Sequence, residues 1–186
     1  AVLEYVQIRF AGGDQNPRGA LVLRGVSPVL DNLTIQDSAW YPLSLDAQSK
    51  PNLQRLLLIR NTPGNALEIR AEAIESRGEY VWSSWEDIDG QPLARVVTGM
   101  LRVGEQAALR ITPGVVVKFS DNGGLDVLGS LVIDQVVMTS FRDDEYSGDS
   151  DGPSGGQALW QGIRLHGRGL VQLQDSLIRF AQVGVS

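Results

Sequence analysis

Between Ala107 and Phe141 short apolar runs alternate with compact polar corners. The runs are Leu109-Arg110-Ile111, Val115-Val116-Val117, Leu125-Asp126-Val127, Leu131-Val132-Ile133 and Val136-Val137-Met138, separated by Thr-Pro-Gly, Asp-Asn-Gly-Gly, Leu-Gly-Ser and Asp-Gln. Runs this short and this rich in β-branched residues favour strands, and corners of Gly, Pro, Asn and Asp turn the chain without a helix. The pattern predicts a succession of short strands wound into coils.

The same pattern repeats outside that stretch. Val29–Ala39 is similar to Leu53–Gly64, and both are similar to Leu3–Gly12 and Leu173–Gly184. Aligning Ile8, Ile35 and Ile59 gives separations of 27 and 24 residues, and the next strand aligns as Leu21/Leu23, Leu43/Leu45 and Leu67/Ile69. One such coil cannot bury its inward side chains alone. Stacked about 4.8 Å apart, coils pair every strand and line equivalent positions into apolar ladders, so a period in the twenties predicts a parallel β-helix. A leucine-rich solenoid fits less well, because Asn32, Asn52 and Asn61 fall at different phases of the repeat. A β-sandwich would show stricter in/out alternation than Leu56-Leu57-Leu58-Ile59 or Val115-Val116-Val117.

Two segments interrupt the ladder. Glu68–Gln91 holds an Ala/Glu-rich piece, predicted as a helical turn or two, then Trp82, Trp85 and the start of a polar loop, Asp87–Pro92; residues 74–92 read as a joint. Residues 142–160, rich in Asp, Gly and Ser, are too long for a corner. The expectation is one all-β domain over 1–186, a right-handed parallel β-helix of about eight coils. Its first run of coils covers 1–73, and its second covers 93–186 with the acidic loop inserted.

Composition adds exclusions. The net charge of −6 and the absence of a basic patch speak against nucleic acid as a partner. The absence of cysteine removes thiol catalysis, thiolate zinc and disulfides. No apolar run is long enough for a membrane-spanning helix, so membrane insertion is not expected. Ala1–Phe10 lacks the basic start and apolar centre of a signal peptide, which fits a mature chain or one period of something longer.

Tyr80-Val81-Trp82, Val96–Gly104 and Ala108–Phe119 together resemble the opening coils of right-handed, pectin-lyase-like β-helix domains of large bacterial secreted and cell-surface proteins. Thr139–Asp144 with Gly148–Gly152 and Trp160-Gln161-Gly162-Ile163 resembles their next signature, and Leu177–Ala181 the coil after it. The resemblance implies a secreted or cell-surface location. It also implies that Leu177–Ala181 runs into a coil like Leu3–Ala11, which here stands at the opposite end. The expected function is therefore an extracellular structural or adhesive module, not an enzyme. Its last coil (Leu173, Leu177, Ile178, Phe180, Val183) would dock on the first coil (Leu3, Tyr5, Val6, Ile8, Phe10) of another copy or an adjacent tandem repeat, forming a filament or stalk.

The chemistry in the sequence is sparse. Asp143, Asp144, Glu145, Asp149 and Asp151 gather on one Gly/Ser loop, an oxygen-rich set suited to a structural calcium, although the twelfth-position glutamate of an EF-hand is missing. Trp40, Trp82, Trp85 and Trp160 could stack on a surface glycan. With the acidic loop they define the alternative function, a polysaccharide-binding or polysaccharide-cleaving module. His166, the chain's one histidine, reads as a surface-turn residue. The Asn-Thr-Asp, Gly-His-Gly and Arg-Ile-Lys sets of pectin hydrolases are absent, and so is Gly-x-Ser-x-Gly.

Overall fold

The structure is a computed structural model that describes residues 1–13, 19–62, 64–152 and 158–186. Residues 14–18 of the predicted polar loop, residue 63, and 153–157 of the acidic loop lie outside the described residues. The first coil carries β1 (Val2–Glu4), β2 (Gln7–Arg9) and β3 (Leu21–Leu23); the second carries β4 (Val29–Asp31), β5 (Thr34–Gln36) and β6 (Leu43–Asp46). The third carries β7 (Asn52–Gln54), β8 (Leu57–Ile59) and β9 (Leu67–Arg70), and the fourth β10 (Gly78–Trp82), β11 (Arg95–Val97) and β12 (Met100–Val103). Then follow β13 (Ala107–Ile111), β14 (Val116–Phe119) and β15 (Gly124–Val127), and after them β16 (Ser130–Asp134), β17 (Val137–Ser140) and β18 (Ile163–Leu165). A last, partial coil holds β19 (Leu170–Gln174) and β20 (Leu177–Ile178).

Every pairing between these strands is parallel, and the chain is a β-solenoid of about six turns. The expected eight overcounts because the acidic loop and the 83–94 connection consume residues without adding a rung. Among the described residues there is no helix. The Ala/Glu-rich piece instead begins in β9, where Leu67 and Ile69 point inward onto Leu43 and Leu45. A short helix has no way to repay its nucleation cost, and the two-residue alternation that buries Leu67 and Ile69 overrides local propensity.

One seven-stranded sheet, in the order β20-β17-β14-β11-β9-β6-β3, runs the length of the solenoid. The other two walls change at the joint. Sheets β1-β4-β7 and β2-β5-β8 end there, and β10-β13-β16-β19 and β12-β15-β18 begin. The long sheet thus stacks the third strand of one coil, β9, on the second strand of the next, β11. At the seam Ile88 N donates to Leu56 O at 2.9 Å and Ile74 bridges Val103, while β7 and β10 do not pair with each other.

The inward ladders are those the repeat predicts, with one correction. Leu21, Leu43 and Leu67 stack, as do Leu23, Leu45 and Ile69, but the partner of Ile8 and Ile35 is Leu58 and not Ile59. Ile59 pairs with Gln36 on the other face. Corners between strands are single left-handed residues that stack from coil to coil: Tyr5, Asn32 and Arg55 at one, Phe10, Asp37 and Arg60 at the next, all with φ between 48° and 56°. Each costs backbone strain. Two of these stacks carry ion pairs, Arg55 with Asp31 and Arg60 with Asp37 at 2.8 Å, the latter holding the Asp37 carboxyl below its ordinary range.

Candidate functional site

The acidic loop folds back over the outer face of the long sheet. Tyr41, Ala66, Ala94, Val96 and Val116 form a small apolar patch there, against which Phe141, just before the loop, and Tyr146 within it pack. This explains the unbroken run Val115-Val116-Val117, since Val115 and Val117 face the core while Val116 faces the loop. Among the polar contacts that fix the loop, Thr139 Oγ1 donates to Asp143 Oδ2 at 2.6 Å, Tyr41 Oη donates to Ser150 O at 2.8 Å, the Lys118 ammonium donates to Gly148 O, and Arg142 Nη2 donates to Asp121 Oδ2 at 2.7 Å. Burial pushes the Tyr41 phenol up, helped by the negative charge of Glu68, Asp151 and Asp149.

The five predicted loop carboxylates divide. Asp144, Asp149 and Asp151 bring oxygens within 4.8 Å of one another. Asp143 and Glu145 turn away and pair with Arg179 of the last coil, Asp143 at 3.5 Å. Partial burial, then the charges of Asp149 and Asp144, pushes the Asp151 carboxyl up. Lys118, with no solvent-exposed surface, lies beneath the trio; burial pulls its ammonium down to about 8, while Asp144 and the neighbouring carboxylates pull the other way. An all-oxygen set of this kind suits a hard divalent cation, and here a buried lysine already supplies positive charge.

The four tryptophans do not form one surface. Trp160 is fully buried, its ring stacked on Phe119 at 4.2 Å and its Nε1 donating to Arg179 O at 2.7 Å, which leaves no ring face for a sugar. Trp40 lies edge-on to Tyr41 beside the acidic loop. Trp82 and Trp85 converge instead on Arg95, which occupies the inward ladder between Leu67 and Val117. His166 lies on an exposed turn, its Nε2 3.2 Å from Asp126 Oδ1.

At the ends, the inward ladders stand open. Leu3, Val6 and Ile8 are half-buried against the core, while Tyr5 and Phe10 at their corners are each 78 % exposed. At the other end Ile178 and Phe180 are half-buried, and Leu173, Leu177 and Val183 are exposed. Among the described residues no strand pairs with the outer edges of β1, β2 and β3, or with those of β19 and β20. Family models, curated proteins and solved structures were all compared with the chain, and none matches it. The two ends are nonetheless alike. Asp175 and Phe180 take the left-handed conformation, as do Tyr5 and Phe10, and an arginine lies over the phenylalanine in both, Arg179 over Phe180 at 4.9 Å and Arg9 over Phe10 at 5.8 Å.

Neither Arg95 nor Lys118 is foreseen in the sequence. Lys118 stands between Val117 and Phe119 and Arg95 between Ala94 and Val96, so each charge sits in an apolar run, but neither run says what lies over it.

Proposed function

We propose that this chain is an extracellular structural or adhesive module, of pectin-lyase-like β-helix type, whose last coil docks on the first coil of another copy or an adjacent tandem repeat. The observation that carries the reading is the likeness of the two terminal coils, Leu173–Ala181 and Leu3–Ala11, in residues and in corner conformation. Their alignment puts Leu173 over Leu3 and Ile178 over Ile8, so β19 would receive β1 and β20 would receive β2. Stacking in that register completes the apolar ladders and supplies partners to the open backbone edges, the feature that natural sheets otherwise cover. Because the two surfaces differ, the contact is heterologous and propagates into a filament or stalk instead of closing as a two-fold dimer.

The test uses one variant per end. Phe10→Asp disables the first coil and Leu173→Asp the last. By light scattering coupled to size exclusion, the unaltered chain is expected to associate as concentration rises and each variant to remain monomeric. A mixture of the two variants is expected to stop at dimers, since one competent surface of each kind remains. An unaltered chain that stays a compact monomer at high concentration, or a mixture without dimers, would refute the reading.

A further inference from the structure

The seam between the two runs of coils leaves a cavity of about 280 Å³ between the turn entering β7 and the end of β10. Its lining includes Lys50 and Asn52 on the rim and Trp82, Trp85 and Arg95 within. Of the four cavities described among the resolved side chains, this one alone is lined by no Asp or Glu, although the chain as a whole carries a net charge of −6. Two cations therefore face it without a counter-charge.

Arg95 is the unusual member. Only 1 % of it is exposed, and among the described residues its side chain makes one hydrogen bond, from Nη2 to Ser83 O, while Nε and Nη1 are buried without a partner. A buried guanidinium without an anion is costly, since its donors lose water and gain nothing in return. The Trp85 ring, 3.8 Å from the guanidinium carbon, offsets part of that cost by a cation–π contact. Trp85 itself is only partly buried and lines the cavity together with Arg95.

We propose that this cavity is a carboxylate-binding site in which Arg95 is the principal contact, Lys50 the rim cation and the Trp85 indole an apolar wall. A planar, monoanionic carboxylate matches the planar donor set of a guanidinium better than a tetrahedral dianion does. The indoles beside it favour a carboxylate carried on an apolar ring. This site is separate from the terminal coils, and neither its presence nor its absence bears on end-to-end docking.

Indole fluorescence reports on it, because Trp82 and Trp85 line the cavity beside Arg95. Sodium acetate and sodium cyclohexanecarboxylate are titrated into the full chain against sodium chloride at matched ionic strength. Both carboxylates are expected to give a saturable change, tighter for the ring-bearing one, and chloride none. Lys50→Gln, an exposed substitution, is expected to weaken binding about two- to fivefold, and Arg95→Gln to abolish it. Should Arg95→Gln fail to fold, Lys50→Gln decides alone. An equal response to chloride, an unchanged affinity in Lys50→Gln, or a stronger response to inorganic phosphate than to either carboxylate would overturn the proposal.

Discussion

Lys118 offers the most quantitative test of how the acidic loop is held. Its ammonium has no exposed surface, and burial moves its ionisation from the ordinary 10.5 to about 8. The folded chain therefore gives up this proton at a lower pH than the unfolded chain. Folding stability rises as pH climbs through about 8 and stops rising near 10.5, where the unfolded lysine also loses its proton. Between pH 6.5 and pH 9 the gain from this one group is about 1.4 kcal/mol. Other groups titrate too: burial lowers Arg95 to about 9, and the raised Tyr41 phenol acts in the opposite sense once the unfolded tyrosine ionises, near its ordinary value of 10. Both persist in Lys118→Met, so the difference between the two proteins isolates the lysine. Urea unfolding followed by tryptophan fluorescence at the two pH values measures it. The unaltered chain is expected to gain about 1.4 kcal/mol more than Lys118→Met over that interval. Equal gains, or a smaller gain in the unaltered chain, would show that the ammonium is hydrated and that the loop does not seal the outer face of the sheet.

Two further outcomes follow from the same region and from the last coil. Calcium chloride is expected to raise the melting temperature of Lys118→Met more than that of the unaltered chain, because removing the ammonium takes away a positive charge that interacts with Asp144, Asp149 and Asp151; scanning calorimetry with and without a chelator checks this, and equal shifts would count against the trio as a cation site. Gly162 has φ +92°, and a Cβ there would lie 1.7 Å from Val183 O. Gly162→Ala is expected to cost about 3 kcal/mol by prising Val183 off β18, and to abolish concentration-dependent association; a stability within experimental error of the parent would refute the close approach.

What the sequence conveyed best was the inward ladder wherever a strand alternates cleanly. Leu21-Val22-Leu23, Leu43-Ser44-Leu45 and Leu67-Glu68-Ile69 each fix one phase, and the structure stacks them as aligned. The slip at Ile59 arose in Leu56-Leu57-Leu58-Ile59, where every position is apolar and alternation is silent about which side chains face in. The fate of the carboxylates was legible only in part. Asp144, Asp149 and Asp151 converge through local turns, with Asp149 Oδ1 accepting from Asp151 N and Gly152 N. Asp143 and Glu145 leave the group for Arg179, a partner that only coil stacking brings near. Arg95 was hidden for the same reason. Its neighbours in sequence mark an ordinary buried strand, and the two indoles that accommodate its charge come from the end of β10, Trp82, and from within the 83–94 connection, Trp85.

The offset at the joint, where β9 lies on β11, has a consequence for any assembly built by stacking like coils. The long sheet of one copy ends at β20, whose successor would be β2 of the next copy, while that copy's own long sheet starts at β3, one side further round. Each added copy would therefore be turned by one side of a three-sided prism, and the third would restore the starting orientation. With about six rungs spaced roughly 4.8 Å apart, a copy advances about 30 Å, so such a fibre would carry a lengthwise repeat of roughly 90 Å. Its mechanical character would be that of a laid rope, with no sheet running unbroken from end to end and every pull passed between walls at the joints.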